Sequence, residues 1–416
     1  MVEFEPFRIA AVSPLPFPTR KERVQELERA EYNVFRLRSN LITIDLVSDS
    51  GTGAMSQQQW QRMLLADESF AYQQSYDQLV ATVKGITGLP YILPIHQGRA
   101  AENILFSSVI KRETRVYSNR LFSTTKAHLE RFGAKPVELP VKGSGNIDLT
   151  RLRKRIGKGS IVILSLTSNY HGGQVVTLDN IEGVRDLLGR GGLLIIDGSR
   201  FVENAYRESK RLGIGLKKVI KKTFSLCDIF YLSTKKDLLT NIGGLIGVRD
   251  HELYQKLREE LLLFEGFPTH GGLAGRDIAA ITQAFQEITD ERYLAFRLGQ
   301  VRRLGERLKR AGVPVHEPFG CHAITIPAEE YAPGISYPGF SAAAQIYLDG
   351  GIRCGVFDED GEVIRLAVPR RVYTESQLCH VSRIVTQTYR KGRFLHLLPI
   401  YKPRRLSNFL LRFKIR

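Results

Sequence analysis

The sequence predicts an α/β fold in which a mostly parallel sheet is covered by helices on both faces. Three short apolar runs, Ile161–Leu166, Leu193–Ile196 and Ile229–Leu232, predict buried strands. Strands that alternate with helices are typical of parallel sheets. The amphipathic segments that predict the accompanying helices are Ile181–Leu188, Tyr206–Val219 and Leu253–Leu263.

The pattern changes near Asp290 and predicts a second, smaller α+β domain. A long charged helix, Tyr293–Ala311, is followed by short strands and a final helix. A chain of 416 residues is long enough for two domains. We therefore divide it into an N-terminal arm (1–18), a large domain (51–290) and a small domain formed by 19–50 with 291–416.

The composition, 43% apolar and 25% charged, is typical of a globular protein in water. No apolar run has the length of a membrane span, and the first residues lack the basic and apolar regions of a secretory signal. The cysteines are far apart, without a Cys-x-x-Cys spacing, which favours a reducing, cytoplasmic environment over disulfides or zinc. They are Cys227, Cys321, Cys354 and Cys379.

The formal charge of +17 is the unusual property of the chain, and the run from Arg390 to Arg416 is both basic and mixed with aromatic residues. Such a run is consistent with nucleic-acid binding or with a solvated basic surface. No nucleic-acid-binding module accompanies the charge. We therefore expect a solvated surface, and neither nucleic acid nor membrane as a partner.

Polar residues follow each of the three predicted strands. They are Thr167-Ser168-Asn169, Asp197-Gly198-Ser199-Arg200 and Ser233-Thr234-Lys235-Lys236-Asp237. In open α/β sheets, ligands bind outside the carboxyl ends of the strands. An amide, a carboxylate and a lysine are therefore expected at one edge of the sheet.

Asp197 and Lys236 together match the needs of pyridoxal phosphate (PLP), which takes a carboxylate at its pyridinium nitrogen and a lysine at its aldehyde. Lys235 adds a like charge that favours a neutral, nucleophilic Lys236 amine. Ser233 and Thr234 supply hydroxyls for a phosphate. The alternatives are a helix cap for an isolated aspartate and a solvated turn for an isolated lysine.

A second anion-binding segment lies at Ile95–Glu102, which reads as a loop that opens a helix. Gly98 allows close backbone approach, Arg99 adds charge, and the helix N-terminus presents unpaired amides. The sequence has no GxxxxGK[ST], GxGxxG or His-Glu-x-x-His motif, so nucleotide loops and metal clusters have no support.

With these residues identified, the chain resembles the tyrosine phenol-lyase and tryptophanase family of PLP-dependent β-eliminating lyases. The likeness runs almost from end to end, with its matches in the same order. The matching stretches are Glu5–Ile9, Asp45–Ser56, His96–Glu102, Thr167–Asn169, Gly172–Gln174, Asp197–Tyr206, Ser233–Gly244, Glu265–Asp277, Arg365–Thr374 and Tyr401–Pro403.

The resemblance implies an aspartate-aminotransferase-like (PLP fold type I) large domain, 51–290, which binds the cofactor. It implies that Lys236 is the Schiff-base lysine, that Asp197 partners the pyridine nitrogen and that Phe122 stacks on the ring. The other implied cofactor contacts are Gln97, Gly98, Arg99 and Ser233 at the phosphate, and Asn169 and Arg200 near the phenolic oxygen.

The resemblance also implies a substrate site, a cation and an assembly. Arg365 would bind the substrate carboxylate, assisted by Ser48 and Ser50, with Asn169 also close to the substrate. The activating potassium site would use Glu68, Asn241 and the carbonyl of Gly51, which are oxygen ligands suited to a hard cation. A homodimer or homotetramer with shared active sites is expected.

Five positions depart from the family pattern. The catalytic tyrosine that protonates the leaving group is Phe70, and a second tyrosine is His270. The arginine that contacts the phenol in phenol-lyases aligns with Phe357. The C-terminal phenylalanine or histidine position aligns with Asn408, and His171 is a new histidine close to Asn169. The cofactor residues are thus retained while the leaving-group residues have changed.

The sequence therefore predicts a PLP-dependent lyase that eliminates the β-substituent of an L-amino acid, with carbon–carbon or carbon–sulfur cleavage. Its catalytic residues would be Lys236, Asp197, Arg365 and His270. β-Replacement, or other α-carbanion chemistry in biosynthesis, is an alternative. An inactive PLP-fold binding protein is an alternative of another class, although a pure binder has no need of Lys236, Asp197 and Arg365 together.

Overall fold

A computed structural model gives the fold and describes residues 4–9, 11–358, 360–403 and 406–416. The strands are β1 (Ile44–Leu46), β2 (Tyr91–Ile95), β3 (Arg115–Ser118), β4 (Lys135–Glu138), β5 (Ile161–Ser165), β6 (Leu193–Asp197), β7 (Ile229–Ser233), β8 (Gly244–Val248), β9 (Ala323–Pro327), β10 (Ile352–Asp358), β11 (Glu362–Ala367), β12 (Leu397–Tyr401) and β13 (Arg412–Ile415).

The helices precede, connect and follow these strands. They are α1 (Arg20–Arg29), α2 (Gln57–Leu64), α3 (Gln74–Thr87), α4 (Gly98–Val109), α5 (Ser123–Arg131), α6 (Leu149–Arg153), α7 (Leu178–Leu188), α8 (Phe201–Leu212), α9 (Leu216–Ser225), α10 (His251–Phe264), α11 (Gly275–Glu287), α12 (Glu291–Arg310), α13 (Ala328–Tyr331), α14 (Pro338–Gly350), α15 (Glu375–Lys391) and α16 (Ser407–Leu410). No helix among the described residues is long and apolar enough to cross a membrane.

The chain divides into two compact units. The large unit is Ser50–Leu294, and the small unit combines Met1–Asp49 with Ala295–Arg416. Because Met1–Asp49 clusters with the C-terminal part, the small unit is assembled from both ends of the chain.

The large unit is built on a seven-stranded sheet with the order β2-β8-β7-β6-β5-β3-β4. Strand β8 is antiparallel to both of its neighbours, and the other pairs are parallel. The predicted mostly parallel sheet is confirmed. As a consequence, the carboxyl ends of β2, β3, β5, β6 and β7 lie at the same edge.

The three predicted strands are confirmed as β5, β6 and β7. Every residue of β5 and β7 is buried, as expected for strands covered on both faces. On one face, α4 packs against β7 and β8 around a core that includes Leu105, Phe106 and Ile195.

The predicted helices at Ile181–Leu188 and Leu253–Leu263 are confirmed as α7 and α10. The prediction of one helix over Tyr206–Val219 is wrong, because the segment contains the end of α8 and the start of α9. Gly213 adopts a left-handed conformation (φ 66°) and donates its amide to Ser209, a common helix C-terminus.

The small unit contains a four-stranded sheet with the order β1-β10-β11-β9. Its core joins residues from α1, α14 and α15, including Leu27, Tyr347 and Leu378. The predicted long helix is confirmed as α12. The expectation that a helix ends the chain is wrong, because α15 is followed by the antiparallel pair β12–β13.

A buried ion pair joins Asp49, which follows β1, to Arg370, which follows β11. Arg370 Nη1 lies 2.9 Å from Asp49 Oδ2, and the two side chains are 1% and 0% exposed. A charge this deeply buried depends on its partner, because water cannot replace it.

We therefore expect Arg370→Leu to lower the free energy of unfolding by about 3–5 kcal/mol, because Asp49 loses its buried counter-charge. Denaturant unfolding of the purified protein measures this change. Arg310→Leu is the matched control, since Arg310 is 76% exposed in its pair with Glu306, and it should change stability by at most about 1 kcal/mol. Equal losses in the two variants would contradict this account.

Candidate active site

All the cofactor-binding residues expected from the sequence lie in the large unit, at or just after the carboxyl ends of five strands. Gln97, Gly98 and Arg99 follow β2, and Phe122 follows β3. Asn169 follows β5, Asp197 ends β6 with Arg200 just beyond it, and Ser233 ends β7 with Lys236 just beyond it. The sheet topology brings these segments to one edge.

The glycine backbones at this edge make a close-packed cradle. A Cβ atom on Gly98 would lie 3.0 Å from the Cβ of Ser233, and one on Gly244 would lie 2.7 Å from the carbonyl carbon of Gln97. Helix α4 begins at Gly98, and the amides of Ala100 and Ala101 bond to the carbonyl of Gln97, so the amides of Gly98 and Arg99 are the ones that the helix itself does not pair. A helix N-terminus that begins against Ser233 is a typical site for a phosphate-sized anion.

The carboxylate of Asp197 is held at the end of β6. Its Oδ1 accepts a hydrogen bond from the amide of Ser199 at 3.1 Å, and the residue is 8% exposed. The hydroxyl of Ser199 in turn accepts from the amide of Ser233 at 3.1 Å. The ends of β6 and β7 are thereby linked, which fixes the carboxylate relative to the cradle.

Asn169 and Arg200, expected near the same oxygen of the cofactor, are in direct contact. Arg200 Nη1 donates to Asn169 Oδ1 at 3.1 Å, and Arg200 is buried. His171, the new histidine, stacks on Tyr170 with ring centroids 3.7 Å apart. This histidine therefore lies in a stacked pair beside Asn169.

Lys236 lies in the turn between β7 and β8, and the neighbouring residues hold that turn. Asp237 Oδ2 accepts from the amides of Val202 and Glu203 at 2.8 and 3.3 Å, at the start of α8. The backbone carbonyl of Lys235 accepts a hydrogen bond from the amide of Gly51 at 2.8 Å. The Lys235 side chain fills the space in which a Cβ of Gly51 would lie. Both lysines are half-buried.

The two positions where the family tyrosines are replaced lie together. The rings of Phe70 and His270 are 6.3 Å apart, and Phe267 is 5.0 Å from Phe70. Phe70 is 79% exposed. His270 Nδ1 accepts the amide of Gly272 at 3.2 Å, which makes Nε2 the protonated ring nitrogen of the neutral tautomer.

The expected potassium ligand Glu68 is occupied by protein contacts. Its carboxylate accepts from the amides of Gly275 and Arg276 at 3.1 and 3.2 Å and pairs with Arg276 Nε at 2.8 Å. A cation at Glu68 would have to compete with Arg276. The part of the chain that the structure describes contains no group of three or more His, Cys, Asp or Glu side chains able to hold a metal.

In the small unit, Arg365 lies on β11 with its guanidinium over an aromatic ring. Its Cζ is 3.7 Å from the ring centroid of Phe357, and its Nη2 is 3.4 Å from the carbonyl of Val47, the residue before Ser48. Arg365 is 4% exposed. The expected carboxylate-binding arginine is therefore adjacent to the Ser48 segment, and Ser50 begins the large unit.

The ring under this arginine belongs to an aromatic trio, Phe35, Phe357 and Phe409. Phe35 is 5.9 Å from Phe357 and 4.9 Å from Phe409, and Phe357 is 6.1 Å from Phe409. The structure thus brings Phe409, the residue after the aligned Asn408, against Phe357. The backbone carbonyl of Asn408 accepts a hydrogen bond from the Asn33 side chain at 3.4 Å. Sequence reasoning did not identify Phe409 because the match there was too short to fix its register.

Two further contacts at this edge were not expected from the sequence. His96 donates its amide to Glu265 Oε2 at 2.9 Å, and its Nδ1 contacts Glu265 Oε1, so the cradle is joined to the segment that carries His270. Glu102, in α4, accepts from Thr125 at 2.5 Å. Burial raises the pKa of Glu102 to about 8, partly offset by the Thr125 bond. Glu102 and Glu265 both lie in stretches that match the family, and this match is the one sequence signal that could have identified them.

The chain is similar to known proteins along most of its length. The sequence profile of the Beta-eliminating lyase family matches residues 45–383. A probable tryptophanase of Aeropyrum pernix is 39% identical, with 94% of this chain and 91% of that protein covered. A tryptophanase of Hyphomonas neptunium is 40% identical, with 92% of each covered. A tyrosine phenol-lyase of Clostridium tetani is 37% identical, with 98% and 97% covered.

Solved structures support the fold. An L-threonine transaldolase from Pseudomonas fluorescens superposes with a TM-score of 0.64 at 16% identity, with 90% of this chain and 89% of that chain covered. A serine palmitoyltransferase from S. paucimobilis, solved with bound PLP and myriocin, gives 0.63 at 13% identity, with 84% and 88% covered. The chain belongs to the beta-eliminating lyase family and has the fold type I architecture of PLP-dependent enzymes.

Proposed function

We propose that the protein is a PLP-dependent lyase that eliminates a β-substituent from an L-amino acid whose leaving group departs as a stable anion. The convergence of Asp197, Lys236 and the Gly98–Ser233 cradle at one sheet edge carries the proposal. These groups are the carboxylate, amine and anion site that PLP requires. Membership of the beta-eliminating lyase family supports the reaction class.

The residues at the edge fit the cofactor. The tight approach of Gly98 to Ser233 leaves backbone amides and a hydroxyl for the phosphate. One oxygen of Asp197 is fixed by Ser199, so the carboxylate is held for the pyridine nitrogen. PLP, when bound there, supplies an electron sink for an α-carbanion.

The remaining chemistry belongs to the side chains. Lys236 would hold the cofactor and move the substrate α-proton at its Nζ. Arg365 would bind the substrate carboxylate with Ser48 and Ser50, because a guanidinium pairs well with a carboxylate. The Phe357 ring under Arg365 is an apolar surface where phenol-lyases have an arginine, so it favours a substrate side chain without a phenol hydroxyl.

The leaving group is constrained by Phe70. A phenyl ring cannot donate a proton, and general acid catalysis contributes about 10²–10⁴-fold in rate. Phenol and indole must be protonated at carbon to depart, whereas a thiolate needs little help. His270, 6.3 Å from the Phe70 ring and with its Nε2 available to carry a proton, is the side chain we propose as a partial replacement.

We also propose that copies of the chain associate as a homodimer or homotetramer. Large apolar side chains are exposed at the ends of α2 and α10, a typical sign of an interface. They include Leu64, Leu65, Leu262, Leu263 and Phe264, each 51% exposed or more.

Potassium activation and a cytoplasmic location complete the proposal. Gly51, Glu68 and Asn241 would supply oxygen ligands, with Glu68 released from Arg276 when the cation binds. The four cysteines are free, and three of them are buried, which suits a reducing compartment.

Lys236→Ala should abolish the visible absorbance that PLP acquires on binding, while far-ultraviolet circular dichroism stays unchanged. The reason is that only the lysine amine can bond the aldehyde. Lys235→Ala is the matched control and should keep the absorbance. If Lys236→Ala kept a normal spectrum, Lys236 would not be the cofactor lysine.

Gly98→Ala should weaken PLP binding at least about tenfold, the equivalent of 1.4 kcal/mol, because the new Cβ presses on Ser233. Fluorescence titration of the apoenzyme measures the affinity. Gly85→Ala is the control, since nothing lies within 4 Å of its Cβ position. Equal PLP affinity in both variants would exclude the cradle as the phosphate site.

S-substituted cysteines and activated O-substituted serines should be eliminated with kcat/KM about 10²–10⁴-fold higher than tyrosine or tryptophan, because their leaving groups need no acid. Release of pyruvate and ammonia across such a panel measures this ratio. Robust phenol release from tyrosine would overturn the leaving-group assignment.

The same panel tests the residues involved. His270→Phe should lower the turnover of substrates with poor leaving groups more than that of substrates with good ones. Phe70→Tyr should selectively raise the turnover of substrates with poor leaving groups. Phe267→Tyr, which adds a hydroxyl to the neighbouring ring, is the control and should leave the ratio unchanged. Equal losses for all substrates in His270→Phe would assign His270 a structural role.

A further inference from the structure

Glu102 is a buried carboxyl behind the cofactor edge that the proposed function does not use. It lies on α4, one turn after Gly98, and is 5% exposed. Its Oε1 accepts from the hydroxyl of Thr125 at 2.5 Å, and its Oε2 accepts from Thr124 at 3.3 Å. Two hydroxyls on α5 therefore fix both oxygens.

Register connects this carboxyl to Asp197. Asp197 on β6 pairs directly with Tyr231 on β7, and neighbouring strands lie about 4.8 Å apart. Ile195 and Tyr231 belong to the core under α4, so Asp197, two residues after Ile195, faces the same side. The hydroxyl of Tyr231 lies beside Thr125. Glu102, Thr125, Tyr231 and Asp197 thus form one buried polar layer.

The charges that face Glu102 come from each surrounding element. Those acting on Glu102 are His128 from α5, Tyr231 from β7, Asp197 from β6 and Lys236 after β7. Arg99 on α4 acts on His128, and on α10, which packs against α4, Glu260 accepts from Ser107.

Burial is the dominant effect on this carboxyl, and it raises the pKa of Glu102 to about 8, with the Asp197 charge acting in the same direction and Lys236 against it. His128 Nε2 is 3.9 Å from Glu102 Oε2, and burial lowers the pKa of this histidine, as do the charges of Arg131 and Arg99. A protonated Glu102 beside a neutral His128 is therefore the form expected at pH 7, and in that form the acid O–H donates to one of the two threonine oxygens.

We propose that Glu102 is a positioning residue that acts as a neutral carboxylic acid and holds Thr124 and Thr125 of α5 in the polar layer behind Asp197. This inference rests on the proposed function for the role of Asp197. Two charged carboxylates in one buried layer would repel each other. This repulsion raises the pKa of one of them, which then binds a proton.

Infrared spectroscopy of the full-length protein tests the protonation state without the cofactor. The carbonyl band of a protonated carboxylic acid should be present at pH 7, titrate near pH 8, vanish in Glu102→Gln and persist in Glu130→Gln, the exposed control on α5. Absence of the band in the wild type, or its survival in Glu102→Gln, would overturn the proposal even if PLP binds elsewhere.

The pH dependence of stability is an independent readout. The folded chain keeps a proton on Glu102 that the unfolded chain releases above its ordinary pKa of 4.5. Wild-type stability should therefore fall, relative to Glu102→Gln, as the pH rises from 4.5 to 8, and level off above 8. A difference between the two proteins that is independent of pH would contradict a neutral Glu102.

PLP affinity of the reconstituted holoenzyme tests the positioning role. Glu102→Gln keeps a neutral polar group and should bind PLP within about threefold of the wild type, whereas Glu102→Leu leaves the hydroxyls unpaired and should bind at least about fivefold more weakly. Equal affinity in Glu102→Leu would overturn positioning. An equal loss of PLP affinity in both variants would mean that a charged Glu102 is needed, which would overturn the neutral form.

Discussion

The edge where the parallel strands of the large unit end is the constraint on which the rest of the site depends. Parallel strands all finish at the same side of a sheet, so residues distant in sequence meet there without a long loop. Asp197 and Ser233 are the last residues of β6 and β7, and Gly98 opens the helix after β2. Ser199 links two of these ends, and Asp237 ties the lysine turn to α8.

Two parts of the protein have diverged to different extents. The groups proposed to hold the cofactor match the family pattern, whereas Phe70, His270 and Phe357 do not. These substitutions lie in two clusters, one formed by Phe70, Phe267 and His270 and the other by the aromatic trio that includes Phe357, the ring under Arg365. A lyase can change its leaving group in this way, because the α-carbanion chemistry is supplied by the cofactor and the departure step by the side chains.

Sequence patterns predicted the parts of the fold in which local and global preferences agree. Fully apolar runs between polar turns predicted β5, β6 and β7, and the strand-end rule predicted where Asp197 and Lys236 would lie. The break at Gly213 was missed because hydrophobic periodicity continues across it while one glycine in a left-handed conformation ends the helix. The pairing of Glu102 with Thr125 and of His96 with Glu265 depends on tertiary contacts, which no spacing along the chain reveals.

The identity of the lysine bonded to the cofactor is the central claim, and chemical trapping tests it most directly. The protein would be saturated with PLP, reduced with borohydride, digested and sequenced by tandem mass spectrometry, which distinguishes Lys235 from Lys236. A single pyridoxyl adduct on Lys236, in the turn after β7, is expected. An adduct on Lys235 or on any other lysine would contradict it.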